Sequence, residues 1–503
     1  MLAIVPSATL LGAEGRPVSV EVHVSSGLPA YNVVGLPDEA CRESRDRVRA
    51  ALLSSRLPWP PTRITVNLAP SGVRKTGAGL DLAIAVGALV AGGAIAADAV
   101  GNLAFLGELG LDGSIRRVPG IVPLVAALGD RVVVVPAGCE REAALVARAE
   151  VRPVRCLTEL VAALSAAAEW PEPAPAPPAP PAEPQPDLAE VRGHAMGRLA
   201  VEAAAAGGHH LLLMGPPGAG KTMLAQRLPG LLPELVREVA LETTMIHSAA
   251  GLALRGGLVQ RPPLRAPHHT ASLVAMVGGG TASMRPGEVS LSNGGVLFLD
   301  ELGEFQPAVL DGLRQPLEEG VVRVTRARAA VQFPARFQLV AAMNPCPCGA
   351  DGQPGACRCG DSTRYKYLRR VSGPLLDRFD LRLEVARPGV DELLGVPVGE
   401  PSALVAARVL KAREVAIARG HGLNSAIPGP LLDEVAPVTK AARLVLRREL
   451  EAGRLSGRGL HRIRRVARTL ADVHECYGDV DEEWVSTALN LRIDPLEQAR
   501  RAA

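Results

Sequence analysis

Gly215-Pro216-Pro217-Gly218-Ala219-Gly220-Lys221-Thr222 has the spacing G-x-x-x-x-G-K-[ST] and follows the apolar run His210-Leu-Leu-Leu-Met214. The run predicts a strand feeding a glycine-rich turn, whose backbone N–H groups can wrap the phosphates of ATP. In such a turn Lys221 reaches the β- and γ-phosphates, and the Thr222 hydroxyl is a ligand for Mg²⁺. Downstream, Gly294-Gly-Val-Leu-Phe-Leu-Asp300-Glu301 reads as a second apolar strand ending in two carboxylates. Asp300 can hold the Mg²⁺ shell, and Glu301 can polarise a water for attack on the γ-phosphate. Either motif alone arises by chance in a glycine-rich chain. The pair, in this order, predicts a nucleotide-hydrolysing motor or switch.

The chain has 503 residues, enough for two to four domains. Its composition is globular, with 48% hydrophobic and 21% charged residues. Lys and Arg number 55 against 52 acids, a net charge of +3, so any surface suited to a polyanion must be local. No apolar run reaches the roughly 18 residues that span a bilayer, and Met1-Leu-Ala-Ile-Val-Pro6 lacks a basic n-region and a cleavage site. A cytoplasmic protein without a membrane partner is the expectation. Eight unevenly placed cysteines do not suggest a secreted disulfide scaffold. Aromatics at 3% argue against base stacking as the main grip on a ligand.

Pro171–Pro186 holds nine prolines in sixteen residues, which favours an extended polyproline conformation. Residues 169–187 are therefore read as a semi-rigid linker. Before it, residues 1–168 alternate strand-like runs (Val18–Val24, Arg63–Asn67, Val132–Val135) with helical ones (Glu39–Ser54, Leu80–Ala94, Val122–Leu128). The nucleotide domain occupies 188–395, and 396–503 reads as helical. The fold class is α/β.

Two further elements fit an ATPase of the AAA+ kind. Phe337–Asn344 reads as another buried strand, and Asn344 at its end can orient the attacking water beside Glu301. The alternative is that Asn344 only starts a turn before Pro345. Pro374-Leu-Leu-Asp-Arg378-Phe-Asp380 places an arginine at a helix end. In ring ATPases such a residue reaches the neighbouring subunit's γ-phosphate and stabilises transition-state charge. An ordinary ion pair with Asp377 is the competing reading of Arg378.

The order of these motifs resembles the magnesium-chelatase and MCM branch of AAA+ proteins. More narrowly, Arg265-Ala-Pro-His-His-Thr270, Arg285-Pro-Gly-Glu-Val-Ser-Leu-Ser292 and Ala341-Ala-Met-Asn-Pro-Cys-Pro-Cys-Gly349 resemble the ComM/YifB group of magnesium-chelatase-like ATPases. The likeness covers essentially the whole chain. It implies a P-loop AAA+ core with a C-terminal helical lid, preceded by a ribosomal-S5/Lon-protease-like α+β domain. It also implies a homo-hexameric helicase that promotes branch migration on single-stranded or branched DNA, in homologous recombination and DNA uptake. By the same resemblance Arg458, in Ser456-Gly-Arg-Gly-Leu-His461, is the second sensor arginine of the lid, with Arg462 as a rival for that role. In the Lon-like domain Gly107–Gly113 matches a strand–turn signature, and Thr76–Asp81 falls at the nucleophile loop. Gly79 then stands at the serine position and Leu124 near that of the lysine, so protease activity is not expected. Ser71 and Lys75 leave a displaced dyad open.

Cys346, Cys348, Cys357 and Cys359 form a C-x-C-x₈-C-x-C array in a glycine-rich stretch. Four thiolates so close can hold a structural Zn²⁺, although the spacing is tighter than the usual C-x₂-C. A reduced, redox-labile loop is the alternative. His268-His269 is too far away in sequence to join this array and is read as part of a polar loop. Arg364-Tyr-Lys366-Tyr-Leu-Arg369-Arg370 is a candidate DNA-backbone segment in which Tyr365 or Tyr367 can pack on sugar or base. A solvated helix face with core tyrosines competes with that reading. Alternation in Val321–Gln332 predicts a hairpin that turns Arg323, Arg326 and Arg328 into a ring pore, and Gly278–Arg285 is a second candidate hairpin. Lys440–Arg468 carries ten Lys/Arg and two Glu, charge that suits either subunit contacts or DNA. None of these segments carries a base-reading code, so binding should be sequence-independent and salt-sensitive. The competing function is a chelatase-type ATPase remodelling a protein or tetrapyrrole-pathway partner. The chain has no long acidic and proline-rich segment followed by a metal-binding integrin-like region, which disfavours a complete chelatase.

Overall fold

The computed structural model describes residues 1–175, 185–254, 257–280, 284–326, 329–349, 357, 359–395 and 399–493. Leu211–Met214, Val296–Leu299 and Gln338–Met343 are buried along their whole length. Continuous apolar runs of this kind belong to a parallel sheet covered on both faces. With Leu264–Arg265 and Leu381–Glu384 at the edges they form a five-stranded, all-parallel sheet. The order in space is Leu264–Arg265, Val296–Leu299, Gln338–Met343, Leu211–Met214, Leu381–Glu384. The first of these strands in sequence thus lies between the fourth and the fifth. The strand order reverses there, and such a switch point opens a crevice at the carboxyl ends of the strands. Met214 pairs with Met343 and Leu299 with Ala341, so Gly215, Asp300 and Asn344 all leave the sheet along one edge.

The helix Ala195–Gly207 covers this sheet and shares one hydrophobic cluster with the C-terminal helices Ser402–Ala418, Lys440–Glu451, Gly457–Val473 and Glu482–Asn490. A buried polar knot reinforces the packing. Asp472, 1% exposed, accepts from Arg419, Asn424 and Arg468. Arg468 is as deeply buried and also donates to the carbonyls of Cys476 and Gly478.

The N-terminal part contains two smaller sheets besides the short antiparallel pair Glu108–Leu109 and Ile115–Arg116. Leu2–Leu11, Glu14–Ser25 and Arg63–Ala69 pair antiparallel, and Ala30–Val34 lies parallel to the last of them. Leu103–Phe105, Val132–Pro136 and Val151–Val154 form the other, which is parallel. The helix Asp81–Ala91 has every residue buried, as a run apolar on all sides requires, and packs on the first two strands. The predicted helix Glu39–Ser54 forms as two pieces, Glu39–Arg42 and Ser44–Ser54, joined at Glu43. Asp38 caps the first piece by accepting from the Cys41 N–H, and the Ser44 hydroxyl meets that of Tyr31. Lys75 is fully buried and its ammonium donates to the Pro70 carbonyl, while Ser71 is exposed.

This part is joined to the nucleotide core by direct contacts. The Gly120 N–H donates to the Ser248 carbonyl at 2.9 Å and the Val122 N–H to the Ser248 hydroxyl at 3.2 Å. Gly12, with φ of +67°, turns the first hairpin against Val331 and Phe333, where a Cβ would lie 2.1 Å from the Val331 side chain. No helix among the described residues is long and apolar enough to cross a membrane.

The Asp472 knot yields a stability test. Asp472→Ala leaves Arg468 buried without its carboxylate, a change that typically costs about 3–5 kcal/mol. Urea unfolding followed by circular dichroism should show a clearly lower midpoint than wild type. An unchanged midpoint would mean that the knot is not stabilising.

Candidate nucleotide site

The loop 215–220 runs from Leu211–Met214 into the helix Lys221–Arg227. At Gly215 a Cβ would lie 2.1 Å from the Val385 carbonyl oxygen, so only glycine lets the chain leave the sheet here. Gly218 and Gly220 have φ of +76° and +86°, a region glycine enters without steric penalty. Above the loop is a cleft of about 410 Å³, lined by residues 217–223 together with Asp300, Glu301, Met343 and Asn344.

The side chains in this cleft already engage one another. The Thr222 hydroxyl donates to Asp300 Oδ2 at 2.8 Å, and Asp300 Oδ1 accepts from the Glu301 N–H at 2.9 Å. A hydroxyl and a carboxylate in contact at the foot of the phosphate loop are hard oxygen ligands suited to Mg²⁺. When bound, that ion would neutralise charge that develops on the phosphates. The Lys221 ammonium donates to the Gly215 carbonyl at 2.7 Å, the Pro216 carbonyl at 2.9 Å and Asn344 Oδ1 at 3.0 Å. Burial lowers its pKa, while the charges of Asp300 and Glu301 oppose the shift. Asn344 is thus inside the site, in contact with the phosphate-loop lysine.

Glu301 adopts a left-handed backbone, φ 52° and ψ 49°. For a residue with a side chain this stores on the order of 1–3 kcal/mol, strain that the surrounding fold must maintain. Its Oε2 lies 3.3 Å from His269 Nδ1. His269 in turn sits edge-on to Phe305 and lies tilted against His268, with ring centroids 6.5 Å and 4.1 Å away. The reading of His268-His269 as part of a polar loop missed this proximity. Leu264–Arg265, the strand just before the histidines, pairs with Val296–Leu299 and carries them to the carboxylates. A two-residue strand shows no periodicity, so the sequence held no local signal for it. A second groove, about 330 Å³ and lined by Thr222, Gln226, both histidines, Asp300 and Glu301, extends from the cleft. The Arg265 guanidinium forks onto Glu288 at 2.6 and 2.8 Å, joining two of the specific sequence strings.

Arg378 and Arg458 are not among the residues lining either cavity. Arg378 follows the helix Gly373–Leu376, is partly buried and pairs with Glu318. Its pKa is lowered by burial first, and then by repulsion from Arg462, Arg458 and Arg314. Arg458 therefore shares the electrostatic neighbourhood of Arg378 rather than that of Lys221.

The four clustered cysteines converge. Their Sγ atoms all lie within 4.8 Å of one another, with separations of 3.3, 3.6 and 3.9 Å among Cys346, Cys348 and Cys357. A tetrahedral Zn²⁺ with Zn–S bonds near 2.3 Å sets its sulfurs about 3.8 Å apart. The cluster abuts the phosphate loop, since a Cβ on Gly349 would come within 2.7 Å of the Pro217 ring.

The basic segments divide. In the stretch 364–370, Arg364 donates to Cys357 Sγ at 3.2 Å, and Arg370 donates to the Gly303 carbonyl at 3.0 Å and pairs with Glu304. Lys366 and Arg369 are exposed, Arg369 lying over the Tyr365 ring. Tyr367 is buried against Gly303, and burial raises its phenol pKa; it is a core residue and not a base-stacking one. Val321–Arg326 and Ala329–Pro334 form the predicted hairpin. Its Val322, Val324, Val331 and Phe333 join the core, while Arg323 is exposed and pairs with Glu319. Arg326 ends the first strand; Arg328 lies outside the described residues. Gly278–Gly279 pairs antiparallel with Arg285–Pro286 as a second hairpin.

The strand order and the chemistry gathered at its carboxyl edge define a P-loop ATPase of the AAA+ class. The family model for the magnesium chelatase subunit ChlI matches residues 187–393, and companion models for this subunit match 20–138 and, as its C-terminal part, 399–492. YifB of Escherichia coli is 42% identical and the competence protein ComM of Haemophilus influenzae 41%, each over 94% of both chains. An uncharacterized protein of Mycobacterium tuberculosis is 46% identical over 97% of both chains. The minichromosome maintenance protein MCM of Saccharolobus solfataricus is 25% identical over 136 residues, 27% of this chain and 17% of that one. The chain belongs to the ComM/YifB family of magnesium-chelatase-like AAA+ ATPases.

Two substitutions separate binding from turnover at this site. Lys221→Ala should weaken ATP binding at least tenfold, whereas Glu301→Gln should retain ATP and lower kcat about 100-fold or more. Equilibrium binding of a fluorescent ATP analogue and steady-state phosphate release measure the two effects. Wild-type turnover in Glu301→Gln would remove Glu301 from the catalytic role.

Proposed function

We propose that this ATPase is a cytoplasmic DNA motor, a homo-hexameric helicase that promotes branch migration on single-stranded or branched DNA during homologous recombination and DNA uptake. One observation carries the reading. The strands Val321–Arg326, Gly278–Gly279 and Arg285–Pro286 of the two hairpins all pack on the short helix Glu288–Leu291, which is followed by the strand Val296–Leu299 that precedes Asp300. A shift at the nucleotide thus has a short path to two hairpins, one of them carrying the exposed Arg323. Arg323 contributes an exposed cation there, and Lys366 and Arg369 add others on the helix Asp361–Leu368 and its end. The name of the competence relative and the partial match to MCM point the same way.

In this reading the backbone of 215–220 cradles the phosphates, and Lys221 turns from its carbonyls onto the β- and γ-phosphates. Thr222 and Asp300 hold Mg²⁺. Glu301 polarises the attacking water and Asn344 orients it. Arg378 completes the site of the next subunit, and Arg458 is the second sensor arginine of the lid. The functional division is 1–168 as a scaffold, 169–187 as linker, 188–395 as motor core and 396–503 as lid. The four cysteines hold one structural Zn²⁺ beside the phosphate loop.

ATP turnover measured without DNA, and with linear duplex, single strand and a four-way junction, tests the motor against a Lys221→Ala blank. Stimulation of several-fold by single-stranded or branched DNA, weakening as salt rises, is the expected result. Turnover indifferent to every DNA would shift the reading to remodelling of a protein or tetrapyrrole-pathway partner. Metal analysis of the purified chain should give about one zinc per chain. A folded protein containing no metal would exclude the zinc site.

A further inference from the structure

Arg378 lies in the turn 377–380 between the helix Gly373–Leu376 and the strand Leu381–Glu384. Its backbone carbonyls are bonded from outside the core. Arg462 Nη1 donates to the Arg378 carbonyl at 3.2 Å and to Asp380 Oδ1 at 2.7 Å. Arg492 Nη1 donates to the Phe379 carbonyl at 2.6 Å and the Asp380 carbonyl at 3.0 Å. Both donors belong to the lid, Arg462 within the helix Gly457–Val473 and Arg492 just after Glu482–Asn490.

Asp380 anchors the arrangement. It is only 5% exposed, and its second oxygen lies 3.2 Å from His209 Nδ1. The other nitrogen of that ring reaches the Thr469 hydroxyl on the same lid helix at 2.8 Å. Burial alone would raise the Asp380 pKa, but the His209 hydrogen bond and the charges of His209 and Arg462 hold it well below the usual carboxylate range. Charge-assisted bonds to such a group are short and directional. The turn therefore takes its shape from lid side chains on three successive residues, while the Arg378 guanidinium itself is left to face Glu318.

We propose that Arg462, together with Arg492, is a positioning residue for Arg378. The lid of each subunit sets the orientation of the arginine offered to its neighbour's nucleotide, so lid movement in one subunit alters turnover in the next. The inference rests on the ring reading above, in which Arg378 acts across a subunit boundary. It also separates the two lid arginines: Arg458 adds charge beside Arg378, and Arg462 holds the backbone that carries it.

Subunit mixing tests this with full-length chains. Lys221→Ala keeps Arg378 but has a disabled phosphate loop, and Arg378→Ala has the opposite defect. Turnover recovered by mixing these two supports action across the boundary; no recovery removes the ring reading, and this proposal with it. Arg462→Ala should then behave as Arg378→Ala does, with kcat at saturating ATP reduced about tenfold or more and ATP affinity within about twofold of wild type. It should recover when mixed with Lys221→Ala and fail to recover with Arg378→Ala. Arg462→Lys, which keeps a cation able to reach Asp380, should restore part of the loss. Wild-type kcat in Arg462→Ala overturns the proposal, as does recovery on mixing with Arg378→Ala. Loss of ATP binding in both Arg462→Ala and Arg462→Lys marks a folding role and overturns it too.

Discussion

Leu211–Met214 has to pair with a strand on each side and bury both of its faces, and most of the molecule is arranged around that requirement. Its neighbours come from far along the chain, Gln338–Met343 on one side and Leu381–Glu384 on the other. The register they adopt brings Gly215, Asn344 and the Val385 carbonyl to one edge. Gly215 is squeezed between its own strand and Val385, and the phosphate loop begins where the squeeze ends. Lid packing follows from the same demand, because the helix Ala195–Gly207 covering this strand is itself covered by the C-terminal helices.

Charge on the lid helix Gly457–Val473 is used mainly for construction. The lid stretch 440–468 looks in sequence like a polyanion-binding surface, yet most of its cations near the core are committed to internal acceptors. Arg464 donates to the Leu432 and Ala436 carbonyls and pairs with Asp433, Arg465 donates to the Ile427 carbonyl, and Arg468 is held in the Asp472 knot. A guanidinium presents several donors in a rigid fork, so one arginine can tie together backbone segments that have no ladder between them. A count of basic residues therefore overstates the surface left for a polyanion.

The phosphate loop and the Asp300–Glu301 strand are legible in sequence because their chemistry is local: loop, strand and ligands are consecutive residues. The hairpin 321–334 is legible for a similar reason, since its alternation reports one buried and one exposed face. What the sequence leaves obscure depends on which strands become neighbours. His269 reaches Glu301 only through the pairing of a two-residue strand. Tyr367 sits in the core because Gly303 offers it a surface without a side chain. The choice between Arg458 and Arg462 cannot be made from spacing either, as both lie near the start of one helix and only the approach of the 377–380 turn distinguishes them.

The wedge at Gly12 bears on how the protein could be divided. Ala13 belongs to the same buried cluster as Val322, Val324, Val331 and Phe333, and Leu10 and Leu11 pack against it. An excised nucleotide core would carry a raw apolar patch on the hairpin 321–334. The N-terminal part is thus a wall of the nucleotide core rather than a passenger hung beside it.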